Sequence, residues 1–169
     1  MAENDALTPG FDPQPNGADT GPQLGLIAQY AKDLSFENPN APGVYQLQGQ
    51  PEIDVQFNIG TTKIADDVHE VAMKIEVKAK IAGTTAFQVE LVYAGLFGAR
   101  NVPDEALHPF LYAQAPQLLF PFARRVVADT IRDGNFPPLM LDPIDFGALY
   151  AQQNGQAEAL AAAEPAGQA

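Results

Sequence analysis

The feature that most constrains the fold is a set of segments in which apolar and polar residues alternate with a period of two. The clearest runs over residues 52–59 as EIDVQFNI, and segments near 24–37, 70–80 and 87–93 follow the same pattern. This period is typical of a strand with one buried and one solvated face. Strands of a buried parallel sheet would be apolar on both faces, so the pattern predicts a four-stranded antiparallel sheet.

The first segment is predicted to place its even-numbered apolar residues on one face, with Lys32 as the interruption. The predicted apolar face contains Leu26, Ala28, Tyr30, Leu34 and Phe36, and the opposite face contains Gln29, Asp33, Ser35 and Glu37. Between the third and fourth segments, Ala82-Gly83-Thr84 predicts a hairpin turn. Asp66-Asp67 predicts a solvated turn rather than a cation site, because the ligand spacing and central Gly of an EF-hand are missing.

After the fourth strand the apolar spacing changes to three and four, which indicates helices. Pro116 and Pro121 lack a backbone donor, so we expect a short helix and then a main helix that starts near one of these prolines. The main helix is expected to end at Asp133-Gly134. Asp142 and Pro143 are suited to cap and open a third helix. Strands followed by helices predict an α+β fold with helices packed on one face of the sheet.

Composition separates this body, residues 23–150, from two tails. Residues 1–22 contain four acids and no base, which predicts a disordered acidic N-terminal tail. Residues 151–169 are rich in Ala and Gln and predict a flexible C-terminal tail. The whole chain has 9 Lys and Arg against 21 Asp and Glu, and its net charge of -12 would repel nucleic acid.

The sequence offers no convincing catalytic or metal-binding motif. It has no Cys, which excludes a thiolate nucleophile, a disulfide and Cys-ligated metals. His69 and His108 lack carboxylate partners at a recognisable spacing, so a small hydrolase that uses either of them is a weak alternative. No run approaches the roughly 20 apolar residues of a membrane span, and the N-terminus lacks the pattern of a signal peptide. We expect no cofactor and no enzyme activity.

Two features have both a structural and a functional interpretation. The strip at residues 135–150, NFPPLMLDPIDFGALY, is either a loop that closes over the core or part of a groove that accepts apolar segments of another chain. The acids Asp33, Glu37 and Glu90 are either ordinary solvated carboxylates or an acidic docking patch.

Four strings resemble those of the SecB protein-export chaperones, in the same order along the chain. They are KDLSFENPNAP (32–42), ADDVHEV (65–71), LLFPFAR (118–124) and the strip at 135–150, and the resemblance extends from about Tyr30 to Tyr150. It implies a cytoplasmic, ATP-independent holdase that binds unfolded preproteins and delivers them to SecA, the motor of the secretion channel. It also implies a homotetramer, built as a dimer of dimers, with no direct membrane insertion.

The same resemblance assigns residues to two surfaces. SecA binding is assigned to Asp33, Glu37 and Glu90, and to Gln88, which stands where relatives have an apolar residue. Client binding is assigned to an apolar groove formed by Tyr45, Ile53, Val55, Phe57, Phe122, Leu139, Leu141, Phe146, Leu149 and Tyr150. Gly49 stands where an aromatic residue is expected. Two further alternatives are a homomeric interaction scaffold and a specialised chaperone, for example one associated with a toxin–antitoxin pair.

Overall fold

Four long strands form one antiparallel sheet in the order β1-β4-β3-β2. The computed structural model describes residues 21–163, so most of the predicted N-terminal tail and residues 164–169 lie outside the described part of the chain. The strands are β1 (Gln23–Glu37), β2 (Glu52–Ala65), β3 (Val68–Ile81) and β4 (Thr84–Arg100). Residues 38–51 carry the chain from β1 at one edge to β2 at the other. The predicted antiparallel sheet is confirmed.

The predicted hairpin turn and the predicted solvated turn are both present, and both connect neighbouring antiparallel strands. Asp66 and Asp67 join β2 to β3, and Asp67 has a φ of 59°. Ala82 and Gly83 join β3 to β4 with φ values of 49° and 78°. Positive φ at both central residues, as at Ala82 and Gly83, is the geometry of a two-residue turn that matches the twist of the strands, whereas only Asp67 has a positive φ in the other turn. These turns set the register of the three consecutive strands.

The prediction for the faces of β1 is wrong between two bulges. The ladder with β4 is interrupted between Leu26 and Ala28 and again between Ala31 and Asp33. Each bulge inserts one residue and therefore moves the following side chains to the other face. Gln29 accordingly shares a face with the core residues of β4, because it pairs with Gly95, whereas Ala28 and Tyr30 lie on the opposite face.

Three α-helices follow the sheet: α1 (Asp104–Pro109), α2 (Ala115–Asp133) and α3 (Phe146–Ala163). A π-helical segment, Phe110–Gln114, connects α1 to α2, so the helical path is continuous. Pro116 lies in the first turn of α2, so the main helix starts near one of the two prolines, as predicted, and Pro121 lies within α2 without ending it. The carbonyl of Gln117 loses its helical donor there, and both residues are exposed, so water can satisfy it.

The third helix begins later than predicted. Residues 137–145 lie in neither a helix nor a strand, and Asp145 rather than Asp142 caps α3, because its Oδ1 accepts a hydrogen bond from the amide of Ala148 at 2.9 Å. Pro143 precedes the helix. The predicted boundary between the body and the C-terminal tail, at residue 150, falls inside α3.

The core lies between α2 and one face of the sheet, here called the core face. Side chains from α2 that contact it are Leu119, Ala123, Val127 and Ile131, and those of the central strands are Val71, Met73, Ile75, Val77, Val89 and Leu91. Gly95 lies under α2, where an added Cβ would stand 2.9 Å from Leu119. The opposite face, here called the outer face, has no helix on it within the described residues. The helices therefore pack on one face, as predicted.

We expect Gly134→Ala to destabilise the protein by about 1–3 kcal/mol, the usual cost of overpacking. A Cβ at Gly134, which follows α2, would stand 2.2 Å from Phe36 of β1. Gly155→Ala is the matched control, because no atom lies within 4 Å of a Cβ at that exposed position. It should stabilise α3 by about 0.5–1 kcal/mol. Urea unfolding of both variants measures the difference, and equal stabilities would contradict the prediction.

Candidate functional site

The acids predicted to bind SecA lie together on the outer face. Glu37 of β1 pairs with Gln88 of β4, and Ser35 pairs with Glu90, so Glu37 and Glu90 occupy adjacent positions on one face. Asp33, which follows the second bulge, lies on the same face one step further along β1. We call Asp33, Glu37 and Glu90, together with Glu76 of β3, the acidic face. Glu76 pairs with Glu90.

A lysine at the centre of the acidic face neutralises part of its charge. Lys74 Nζ lies 2.8 Å from a carboxylate oxygen of Glu90 and 3.0 Å from one of Glu76. The hydrogen bonds that Lys74 donates to Glu90 and then to Glu76 raise its pKa, so the amine stays protonated. Glu76 and Glu90 face each other across the strands, and Lys74 offsets the repulsion between these like charges. The sequence analysis did not find this cation.

An apolar furrow runs along β2 at the other edge of the sheet. Its first depression, of about 320 Å3, lies between Val55 and Phe57 of β2 and the segment that contains Leu139 and Ile144. Its second depression, of about 230 Å3, continues from Phe57 to Ile59 and the first turn of α3. Because Phe57 and Ile144 line both depressions, the two depressions form one furrow. We call it the β2 groove.

The predicted groove residues divide into walls and floor. Val55, Phe57, Leu139 and Tyr150 are half-buried, and Leu149 is 39% exposed. Phe146 is only 1% exposed, and its ring packs on Phe120 of α2 at a centroid distance of 5.8 Å. Leu141 is also buried. These two residues form the floor of the depressions. Little of either side chain is accessible to a client.

Three predicted groove residues lie elsewhere. Ile53 is exposed at the start of β2, on the same face as Val55. Tyr45 packs against Phe136, and its hydroxyl donates a hydrogen bond to the carbonyl of Gly134 at 2.9 Å. Phe122 is exposed on the side of α2, one turn from exposed Leu118. The structure does not bring Tyr45 or Phe122 into the two depressions.

Other residues of the β2 groove were missed by the sequence analysis. Ile144 and Tyr112 line it, as does Ile59, although the alternation of β2 could have identified Ile59. Tyr112 accepts a hydrogen bond from Thr61 of β2 at 3.0 Å. Tyr112 lies in the π-helical segment, and no local pattern predicts where that segment places its side chains.

The two histidines lie in different parts of the structure. His108 Nδ1 lies 2.6 Å from the hydroxyl of Tyr150, and its ring packs on Tyr112, so it joins α1 to the groove wall. His69 is half-buried in β3, opposite Lys63. Residues 21–163 contain no group of three or more His, Asp or Glu side chains that could hold a metal ion. In the same part of the chain, none of the helices combines the length and apolar character needed to cross a membrane.

The family model for SecB, described as preprotein translocase subunit SecB, matches residues 17–157. The chain belongs to the SecB family. A protein-export protein SecB of Rhizorhabdus wittichii is 68% identical over 91% of this chain and 93% of its own length. Those of Zymomonas mobilis and Bradyrhizobium diazoefficiens are 62% and 52% identical, over 91% and 92% of this chain and 95% and 96% of their own lengths. This SecB chain is therefore a chaperone of preprotein export.

A solved structure shows the same fold at low identity. It is the SecB-like chaperone Rv1957 of Mycobacterium tuberculosis, in complex with a ChAD peptide from the Rv1956 HigA1 antitoxin. The two chains align with a TM-score of 0.60 and 15% identity, over 72% of this chain and 90% of that one. At this identity the likeness supports the α+β architecture alone.

Proposed function

We propose that this SecB chain is a cytoplasmic, ATP-independent holdase without enzyme activity, which binds unfolded preproteins in the β2 groove and delivers them to SecA through the acidic face. The observation that carries the proposal is an open apolar furrow beside an edge strand, lined by Val55, Phe57 and Leu139. A folded protein buries the apolar segments that such a furrow accepts. The groove therefore selects clients by their lack of structure.

The energy of each contact supports capture by several weak sites. At about 25 cal/mol per Å2, roughly 100 Å2 of apolar surface buried in one depression contributes about 2.5 kcal/mol before ordering costs. A single depression therefore binds weakly. An unfolded chain that occupies several depressions at once binds much more tightly, because each bound segment raises the effective concentration of the next.

Self-association is part of the proposal, because exposed apolar side chains remain on the core face and beside it. Leu24, Leu26 and Leu34 of β1 are 40–46% exposed, and Leu118 and Phe122 of α2 are similarly exposed. A second copy of the chain would cover them, and two such pairs would give the tetramer that the family resemblance implies. We therefore assign Phe122 to a subunit contact rather than to client binding.

Delivery to SecA uses charge in this proposal. Asp33, Glu37 and Glu90 face solvent on the outer face, away from the β2 groove and from the exposed apolar side chains of β1. A partner with basic side chains would be attracted to this surface, and salt would weaken the attraction. The separation of the two surfaces leaves a bound client in place while SecA docks.

The relatives favour export over the alternatives, since those 52–68% identical are named protein-export proteins. Peptide binding by the SecB-like neighbour is consistent with a client groove on this fold. A homomeric scaffold without client binding remains the competing function. It predicts equal, weak binding of native and denatured proteins.

A refolding assay tests the proposal. A stoichiometric excess of the protein should slow the refolding of a slow-folding precursor at least about tenfold without nucleotide, as expected for tight multivalent capture. Native precursor should not bind. Leu149→Asp, which places a charge in the wall of the β2 groove, should reduce this effect. Leu160→Asp in the same helix is the matched control, because Leu160 is 72% exposed and lines neither depression. Equal effects of the two variants would contradict the assignment of the groove.

A further inference from the structure

One charged side chain on the outer face is buried. Glu70 of β3 is 9% exposed, and no other charged residue is buried within residues 21–162. Tyr30 Oη donates a hydrogen bond to Glu70 Oε2 at 2.6 Å, and Lys32 Nζ donates one to Oε1 at 2.7 Å. The bonds from Lys32 and then Tyr30 hold the pKa of Glu70 below its ordinary value, although burial acts in the opposite direction. Glu70 is therefore an ionised carboxylate, and each of its two oxygens accepts a hydrogen bond from a side chain of β1.

These three side chains, which we call the Glu70 bridge, span a whole strand. β1 and β3 are not neighbours, since β4 lies between them. Ala94 of β4 pairs with Tyr30 on one side and with Ala72 on the other, and it is completely buried although it lies on the outer face. The small side chains of these two alanines leave room for the bridge to close over β4.

The Glu70 bridge holds β1 at its second bulge. Lys32 lies between the paired residues Ala31 and Asp33 and has no partner of its own in the ladder with β4. This extra residue reverses the alternation of the residues that follow. If Lys32 instead paired with Val92 in a regular ladder, Asp33 and Glu37 would point to the core face. The bulge is thus what directs these two acids outward.

We propose that Glu70 is a positioning residue for the acidic face: by binding Tyr30 and Lys32, it fixes the bulge at Lys32 and keeps Asp33 directed outward. A second consequence is that the ammonium of Lys32 stays bound to Glu70 and does not neutralise Asp33. The effect on β1 follows from the geometry alone. The effect on docking rests on the proposed function.

Glu70→Gln tests the inference, because it removes the ion pair and nearly keeps the size of the side chain. We expect amide exchange at residues 31–34 to rise about tenfold, and SecA affinity to fall about three- to tenfold, the range for losing one hydrogen bond of ordinary strength. Client capture should be unchanged. Glu52→Gln, which changes an exposed acid at the start of β2, is the matched control and should alter neither quantity.

Two further variants separate positioning from charge. Tyr30→Phe removes one hydroxyl and no charge. A measurable loss of SecA affinity in this variant, although smaller than that in Glu70→Gln, therefore excludes a long-range field effect as the cause. In an Asp33→Asn background, Glu70→Gln should weaken SecA binding less than about twofold, because Glu70 acts through Asp33.

The outcomes are distinct. Unchanged exchange at residues 31–34 in both Glu70→Gln and Tyr30→Phe would overturn the inference. An undiminished effect of Glu70→Gln in the Asp33→Asn background would also overturn it. Faster exchange in a protein whose wild type does not bind SecA would support the role in β1 and contradict the proposed docking function.

Discussion

Asp33→Lys combined with Glu90→Lys is expected to weaken SecA binding at least about 100-fold, and to leave client capture unchanged. Juxtaposed like charges cost several kcal/mol at an interface, and each 1.4 kcal/mol is a tenfold change in affinity. The new lysine at position 90 would also lie beside Lys74, which now binds Glu90 at 2.8 Å. Both effects convert an acidic surface into a basic one.

The control for this variant reverses two acids elsewhere. Asp66 lies in the turn between β2 and β3 and Glu158 in α3, and both are exposed. Replacing both with Lys gives the same net charge as the test variant. Titration calorimetry with SecA at low and high salt measures the affinities. Equal losses in the two double variants would mean that net charge alone governs binding, and would contradict the acidic face as a docking site.

Phe146→Ala is expected to destabilise the protein by about 3–5 kcal/mol, the range for removing a buried aromatic side chain. Phe146 is 1% exposed and packs on Phe120, which in turn lies 6.2 Å, ring to ring, from Phe57 of β2. Its loss would leave a cavity under the β2 groove. The variant should therefore lose client binding through collapse of the groove floor rather than through loss of a contact.

Leu149→Ala is the comparison for this prediction. Leu149 lies one turn along α3 and is 39% exposed, so its truncation should cost less than about 1 kcal/mol. Client binding should nevertheless fall, because Leu149 is in the wall of the groove. Urea unfolding and the refolding assay on the same samples separate the two effects. A Phe146→Ala protein as stable as wild type would show that Phe146 does not support the floor.

The sheet could be predicted because three of its strands follow one simple pattern. β2, β3 and β4 alternate without interruption in their predicted segments, and their turns carry residues suited to positive φ. β1 could not be predicted in the same way. Its bulges at Ile27 and Lys32 are set by pairing with β4 and by the Glu70 bridge, and neither interaction is local in sequence.

The helices were predicted less accurately, because the decisive interactions compete locally. Asp142 and Asp145 both precede apolar residues and either could cap a helix, but only Asp145 accepts the bond from Ala148. Pro121 was one of two possible starting points of the main helix, but it lies within α2. Packing of the neighbouring Leu119 and Ala123 into the core outweighs the one lost backbone bond.

The sequence analysis identified most residues of the two surfaces, but not which of them are paired with a cation or buried. Resemblance identified Asp33, Glu37 and Glu90, and the register of β1 with β4 brings them together. The sequence analysis did not predict the ion pairs of Lys74, because they depend on a neighbour in another strand. Resemblance also gave most of the β2 groove, yet it could not distinguish the buried Phe146 from the exposed Leu149.

The two bulges of β1 determine which deletions the strand can accept without changing the face of its side chains. Leu24 and Leu26 before the first bulge lie on the same face as Leu34 and Phe36 after the second, because two inserted residues restore the parity that one inserted residue reverses. Deleting Ile27 or Lys32, the extra residue of either bulge, would leave every other residue of the strand opposite its present partner in β4 and on its present face. Each bulge could therefore lose its extra residue without turning over either end of the strand, so single deletions at these two positions should keep the register of β1.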